Sequence, residues 1–146
     1  MSDSTVNILL IEDSKTDASI LKAAFSVIEE SVNIHVATDG LQAIQILERA
    51  RTAKQLPHII LIDLNLPGQS GHEILQDIKR HALWKQAPTI VLSSSATPED
   101  ILKSYESNAN AYITKPGTLE GYELVTQRIR NFWIKTAQLP ASQPAF

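Results

Sequence analysis

Residues Val6 to Ser14 read VNILLIEDS, a nearly unbroken aliphatic run that stops on two adjacent carboxylates and a hydroxyl. Such a short run, without helical spacing, is what a strand buried on both faces looks like. The pattern recurs down the chain. Ile59 to Ile62 stops at Asp63, Thr89 to Leu92 at Ser93, Ser94 and Ser95, and Ala111 to Ile113 runs through Thr114 into Lys115 and Pro116. Val32 to Ala37 is a fifth strand candidate. Between these runs, Ala18, Leu21, Phe25 and Ile28 recur at helical spacing, as do Ala43, Ile44 and Leu47, then Ile74, Leu75 and Ile78. Strands alternating with amphipathic helices predict an α/β fold, a doubly wound parallel sheet with helices on both faces.

Ser14 and Asp39 are placed to cap the first two helices, and Pro98 with Glu99 and Asp100 suits the start of a fourth. The last helix, from about Leu119, carries Tyr122, Val125, Ile129 and Phe132 on one face and extends to about Gln138. Residues 1–138 read as one domain and 139–146 as a flexible tail.

At 146 residues, 43% hydrophobic and 20% charged, the chain suits one globular domain with an aliphatic core. A net charge of −3 gives no basic footprint for a phosphate backbone, so direct nucleic-acid binding is not expected. The absence of cysteine removes disulfides, thiolate metal sites and a thiol nucleophile, and fits a reducing, cytoplasmic setting. No apolar run approaches the ~20 residues needed to cross a bilayer, so no membrane contact is expected.

In a parallel sheet the polar strand ends share one edge, where open α/β sheets bind their ligands. Glu12, Asp13 and Asp63 would then converge with a hydroxyl and the Lys115 ammonium. Crowded carboxylates repel by on the order of 4 kcal/mol per pair at about 4 Å, which calls for a cation. Magnesium (or manganese) suits hard oxygen donors: Asp13 and Asp63 directly, Glu12 through water, and Asn65 through its backbone carbonyl. With the cation in place, Asp63 can act as a nucleophile toward phosphorus, while Lys115 and a serine hydroxyl hold the phosphoryl oxygens. Strand register favours Ser93 for that hydroxyl, but a slip of one residue selects Ser94.

These residues resemble the receiver domains of two-component response regulators, from about Val6 to Phe132. The pieces are LLIEDS, LIDLNLPGQSG, TIVLSSS and YITKP, jointly specific in order and spacing. The resemblance implies a flavodoxin-like (βα)5 three-layer sandwich with strand order 2-1-3-4-5. It makes Asp63 the phosphoacceptor, Ser93 the switch hydroxyl, Tyr112 the switch aromatic and Pro116 a cis proline. It also implies a sensor histidine kinase as partner and no enzymatic turnover beyond the chain's own phosphorylation and dephosphorylation. The long final helix with Asn131, Phe132 and Trp133, and the stretch SYESNANAYITK, resemble single-domain response regulators paired with bacterial and cyanobacterial phytochromes.

Plainer readings stand beside these. A carboxylate after a strand is often a turn residue or helix cap, and Glu12 and Asp13 could simply favour a helix N-terminus. His35, His58, His72 and His81 lack metal-ligand spacing and read as surface or loop residues. Phe132 and Trp133 cannot both face the core; the outward one is a harmless exposed aromatic or a homodimer contact. Two rival functions are a phosphate-independent interaction module and a small aspartyl-phosphate phosphotransferase.

Overall fold

The computed structural model describes residues 5–28, 32–53 and 56–140, so the first four residues and positions 141–146 of the tail expected over 139–146 lie outside the described residues. Five strands alternate with five helices: β1 (Val6–Ile11), α1 (Lys15–Ser26), β2 (Val32–Ala37), α2 (Gly40–Thr52), β3 (Ile59–Ile62), α3 (Gly71–Arg80), β4 (Thr89–Ser93), α4 (Pro98–Glu106), β5 (Ala111–Thr114) and α5 (Leu119–Ile129). The strands form one parallel sheet in the order β2-β1-β3-β4-β5. Chain order therefore reverses between β1 and β3, and it is outside the carboxyl ends of strands at such a reversal that open α/β sheets bind ligands.

Alternation of side chains along each strand divides the core into two layers. Leu9, Ile11, Ile60, Ile62 and Val91 pack with Ala43, Leu47, Ile74, Leu75 and Ile78 of α2 and α3. Ile8, Leu10, Leu61, Ile90 and Leu92 pack with Leu21 and Phe25 of α1 and Tyr122 and Ile129 of α5. Because β1, β3 and β4 are covered on both sides, their near-continuous aliphatic runs are required by burial. Along edge strand β2, half-buried and exposed residues instead alternate from Val32 to Val36, and Ala37 is buried.

Each helix starts on a side-chain cap that accepts a backbone N–H: Ser14, Asp39, Ser70, Thr97 and Thr118. Ser70 and Glu73 form a reciprocal capping box that the sequence reading did not single out. No described helix is long and apolar enough to cross a membrane.

The end of the chain departs from expectation. The α-helix stops at Ile129 and continues as a π-turn over Arg130–Thr136, closed by Ala137 N–H donating to the Phe132 carbonyl at 2.7 Å. A π-turn advances fewer degrees per residue than an α-turn. The inward stripe therefore passes from the expected Phe132 to Trp133, Ile134 and Ala137, which pack on the α1/α5 layer, while Phe132 is 53% exposed. Leu139, expected in the tail, is buried in the same layer.

Candidate functional site

Glu12 and Asp13 follow β1, Asp63 follows β3 and Lys115 follows β5, so the strand ends bring them to one edge. Leu10, Leu61 and Ile113 belong to the α1/α5 layer. Glu12, Asp63 and Lys115 lie two residues further along each strand and keep that side. The first turn of α1 adds Asp17, whose N–H is capped by Ser14 Oγ at 3.1 Å.

Lys115 is the centre of the cluster. Its ammonium lies 2.7 Å from Glu12 Oε1, 2.7 Å from Asp17 Oδ2 and 2.9 Å from Asp63 Oδ2, with only 8% of the side chain exposed. Three carboxylates thus take the three protons an ammonium can donate. The second oxygen of Glu12 accepts from Ser14 N–H at 3.2 Å, and that of Asp63 from Asn65 N–H at 3.2 Å. Asp13 is exposed. Burial pushes the Glu12 carboxyl up to about 7; its bond from Lys115 opposes the rise and the nearby Asp63 charge adds to it. Burial by itself would lower the Lys115 pKa, but the hydrogen bonds to Asp17, Glu12 and Asp63 outweigh it and hold the amine above its ordinary range.

Glu12, Asp13 and Asp63 each offer an oxygen, and the three atoms lie within 4.8 Å of one another. Hard oxygens at that spacing, with Asp13 open to solvent, fit a small divalent cation that keeps some of its water. The crowding inferred from the sequence is real, but Lys115 already offsets part of it.

Beside this cluster, Lys115 N–H donates to the Ser93 carbonyl at 2.8 Å. Ser93 is fully buried and Ser94 exposed, and Ser93 Oγ accepts from Ser95 N–H at 3.3 Å. Ser95 is held further, by Thr97 N–H donating to its Oγ at 3.5 Å and by two shorter bonds. Its carbonyl accepts from the Tyr112 hydroxyl at 2.7 Å, and its own hydroxyl donates to Asp100 Oδ2 at 2.5 Å. Tyr112 is half-buried against the α2/α3 layer. Asp100 Oδ1 lies 3.3 Å from His72 Nε2, which ties α4 to α3.

A family model for the response regulator receiver domain matches residues 8–127. The chain belongs to the response regulator receiver family. It is similar to the response regulator Rcp1 of Synechocystis sp., 35% identical over 137 residues, covering 92% of this chain and 93% of that protein. Among solved structures it resembles the phosphorylated cyanobacterial phytochrome response regulator RcpA, with a TM-score of 0.87 and 34% identity, covering 93% of this chain and 99% of that one. It also resembles the Mn(2+)-bound form of Rcp1, with a TM-score of 0.84 and 34% identity over 92% of this chain and 99% of that one. The five-stranded sheet in 2-1-3-4-5 order is the receiver architecture expected from the sequence.

Three sequence expectations about this receiver need correction. No peptide bond among the described residues is cis, so the bond before Pro116 is trans, the isomer favoured by about 0.5–1 kcal/mol at X-Pro bonds. His72 is buried, held by the turn of α3 that follows the Ser70 cap, and pairs with Asp100. Trp133 packs on its own chain's core and leaves Phe132 as the outward aromatic. Asp17 was also missed. Its only signal was its place one turn after Asp13, where an acidic residue in a first helical turn already has a plain explanation. Gly71 was unremarked too, yet a Cβ there would run into the Asp63 carbonyl oxygen and the Leu64 Cα.

Proposed function

We propose that this receiver takes a phosphoryl group on Asp63 from the phosphohistidine of a sensor kinase, and that its output is a changed protein-interaction surface. The observation carrying this reading is the Lys115 ammonium 2.9 Å from Asp63, beside a carboxylate triad within 4.8 Å. The reading of Asp63 as nucleophile is supported by its position just after β3 and by the Asn65 N–H that donates to its Oδ1. One Asp63 carboxylate oxygen forms a bond to phosphorus as the phosphorus–nitrogen bond breaks, and the histidine nitrogen keeps that electron pair. The chain accepts the group and does not turn over a free substrate.

Glu12, Asp13, Asp63 and the Asn65 backbone carbonyl would hold magnesium, or manganese as in the Rcp1 structure named above. When bound, the cation supplies charge neutralisation at the transferring phosphoryl group. Lys115 stabilises a phosphoryl oxygen as a fixed positive charge. Ser93 is the switch hydroxyl, supported by its burial at the end of β4 next to Lys115 and by the exposure of Ser94. A Ser93 hydroxyl drawn to the phosphoryl group gives up its bond from Ser95 N–H, and Ser95 carries the change to the Tyr112 hydroxyl.

The kinase partner is of phytochrome type, supported by likeness to RcpA over nearly the whole chain. The protein works in the cytoplasm as one receiver unit over residues 1–138, extended by buried Leu139, and pairs with itself through the Phe132 face. Incubation with acetyl phosphate and magnesium, followed by mass spectrometry, tests the acceptor. Incorporation is expected in the parent and lost in Asp63→Asn; full incorporation in that variant refutes the assignment. Phosphotransfer from phytochrome-type and other histidine kinases tests the partner. Light scattering of Phe132→Asp tests the dimer, which is expected to dissociate.

A further inference from the structure

Asp17 stands apart from the other two carboxylates on Lys115. Glu12 and Asp63 belong to the carboxylate triad that fits a cation, whereas Asp17 does not. It reaches Lys115 from α1, on the side of the sheet where Glu12, Asp63 and Lys115 also lie. An acidic residue in the first helical turn is favourable through the helix dipole alone. That effect needs only a charge near the helix end. It does not require a 2.7 Å bond to a buried ammonium 98 residues away in sequence.

We propose that Asp17 is a positioning residue for phosphoryl transfer: it keeps the Lys115 ammonium in place while the lysine's bonds to Glu12 and Asp63 are given up. The inference rests on Asp63 being the phosphoacceptor. In the resting site all three ammonium protons are engaged, so a phosphoryl oxygen gains a lysine proton only when a carboxylate releases one. Asp63 loses charge as its oxygen bonds to phosphorus. Glu12 belongs to the set that fits the cation, so Asp17 is the one acceptor on Lys115 that neither bonds to phosphorus nor faces the cation. A lysine stem is long and rotamer-rich, and without Asp17 its tip is held only by a group that bonds to phosphorus and a group that turns to the cation. Misplacement of a catalytic charge by about 1 Å costs on the order of a hundredfold in rate, and partial loss of an anchor costs less.

The test compares the parent with Asp17→Ala, Asp17→Glu and Asp63→Asn in acetyl phosphate titrations at saturating magnesium. Asp17→Ala is expected to lower the maximal phosphorylation rate about tenfold while the half-saturating acetyl phosphate concentration stays within about twofold. Asp17→Glu should recover part of the rate, because it restores a carboxylate that can reach the ammonium. A general loss of helix stability would not give that split or that rescue. In metal-free buffer, a double-mutant cycle of Asp17→Ala with Lys115→Met, followed by urea unfolding, should show favourable coupling between the two residues. An unchanged or faster maximal rate in Asp17→Ala, or zero coupling in the cycle, overturns the inference. A parent phosphorylated at Asp63 together with an unaffected Asp17→Ala removes this inference alone. Undiminished phosphorylation of Asp63→Asn removes the acceptor assignment and this inference with it.

Discussion

Replacing Lys115 by methionine keeps most of the stem volume and removes the charge that three carboxylates share. At an effective dielectric of 20, each contact of 2.7–2.9 Å is worth on the order of 6 kcal/mol of gross attraction. Desolvation of the buried groups cancels most of that, and the net cost of removing one partner from a buried ion pair is about 3–5 kcal/mol. The lower end applies here, because Asp17 is partly exposed and because Glu12 can take up a proton. A loss of about 3 kcal/mol in a chain of this size lowers the melting temperature by roughly 10 °C. The loss should be greatest near pH 8, where Glu12 and Asp63 are both charged with nothing between them. It should shrink near pH 6 as Glu12 protonates, and again on adding magnesium. Thermal unfolding of Lys115→Met and the parent at both pH values, with chelator and with magnesium, measures all of this. A variant as stable as the parent at pH 8 in chelator, or a deficit that ignores both pH and magnesium, would refute the picture of Lys115 as the counter-charge of the site.

Glu12 makes the metal-free parent pH-sensitive. Its folded pKa, about 7, lies above the unfolded value of 4.5, so the folded chain holds the extra proton between them and stability falls as pH rises through that window. Glu12→Gln should flatten the slope in urea titrations, and saturating magnesium should remove it by keeping the folded carboxylate ionised across that window; a rising slope in chelator contradicts this. Gly71→Ala forces a Cβ against the Asp63 backbone and should cost about 1–3 kcal/mol, read as a lower urea midpoint, with slower phosphorylation. A midpoint equal to the parent's would mean that the β3 end has room it does not show. The Ser95 hydroxyl is the main cause of the depressed Asp100 pKa, ahead of His72. Ser95→Ala should therefore raise the Asp100 pKa toward its ordinary range in carboxylate NMR titrations, and an unmoved titration would remove Ser95 from that network.

Much of the fold was legible because burial imposes local pattern. Val6–Ile11, Val32–Ala37 and Ile59–Ile62 are strands at the residues the aliphatic runs mark, and Ser14 and Asp39 cap the helices they precede. Glu12, Asp13, Asp63 and Lys115 were legible as a group for the same reason. Once the strands are parallel, residues just past their carboxyl ends must share an edge, whatever the loops do. The aromatic pair near the chain's end was misread because periodicity assumes an unbroken α-helix, and the π-turn at Arg130–Thr136 rotates the inward face by one position.

What the sequence by itself determined is the order of elements, the two-sided burial of the central strands and the set of polar groups delivered to one edge. These follow from patterns within a few residues of each other. Which groups bond to which was left to the tertiary structure. The Lys115 bonds to Asp17 and Asp63 span 98 and 52 residues, and His72 meets Asp100 across 28. Such pairings depend on how α1, α3 and α4 lie on the sheet, and packing of side chains far apart in the chain decides that. The sequence therefore predicted a crowd of carboxylates, and the fold made it a cluster with a lysine at its centre.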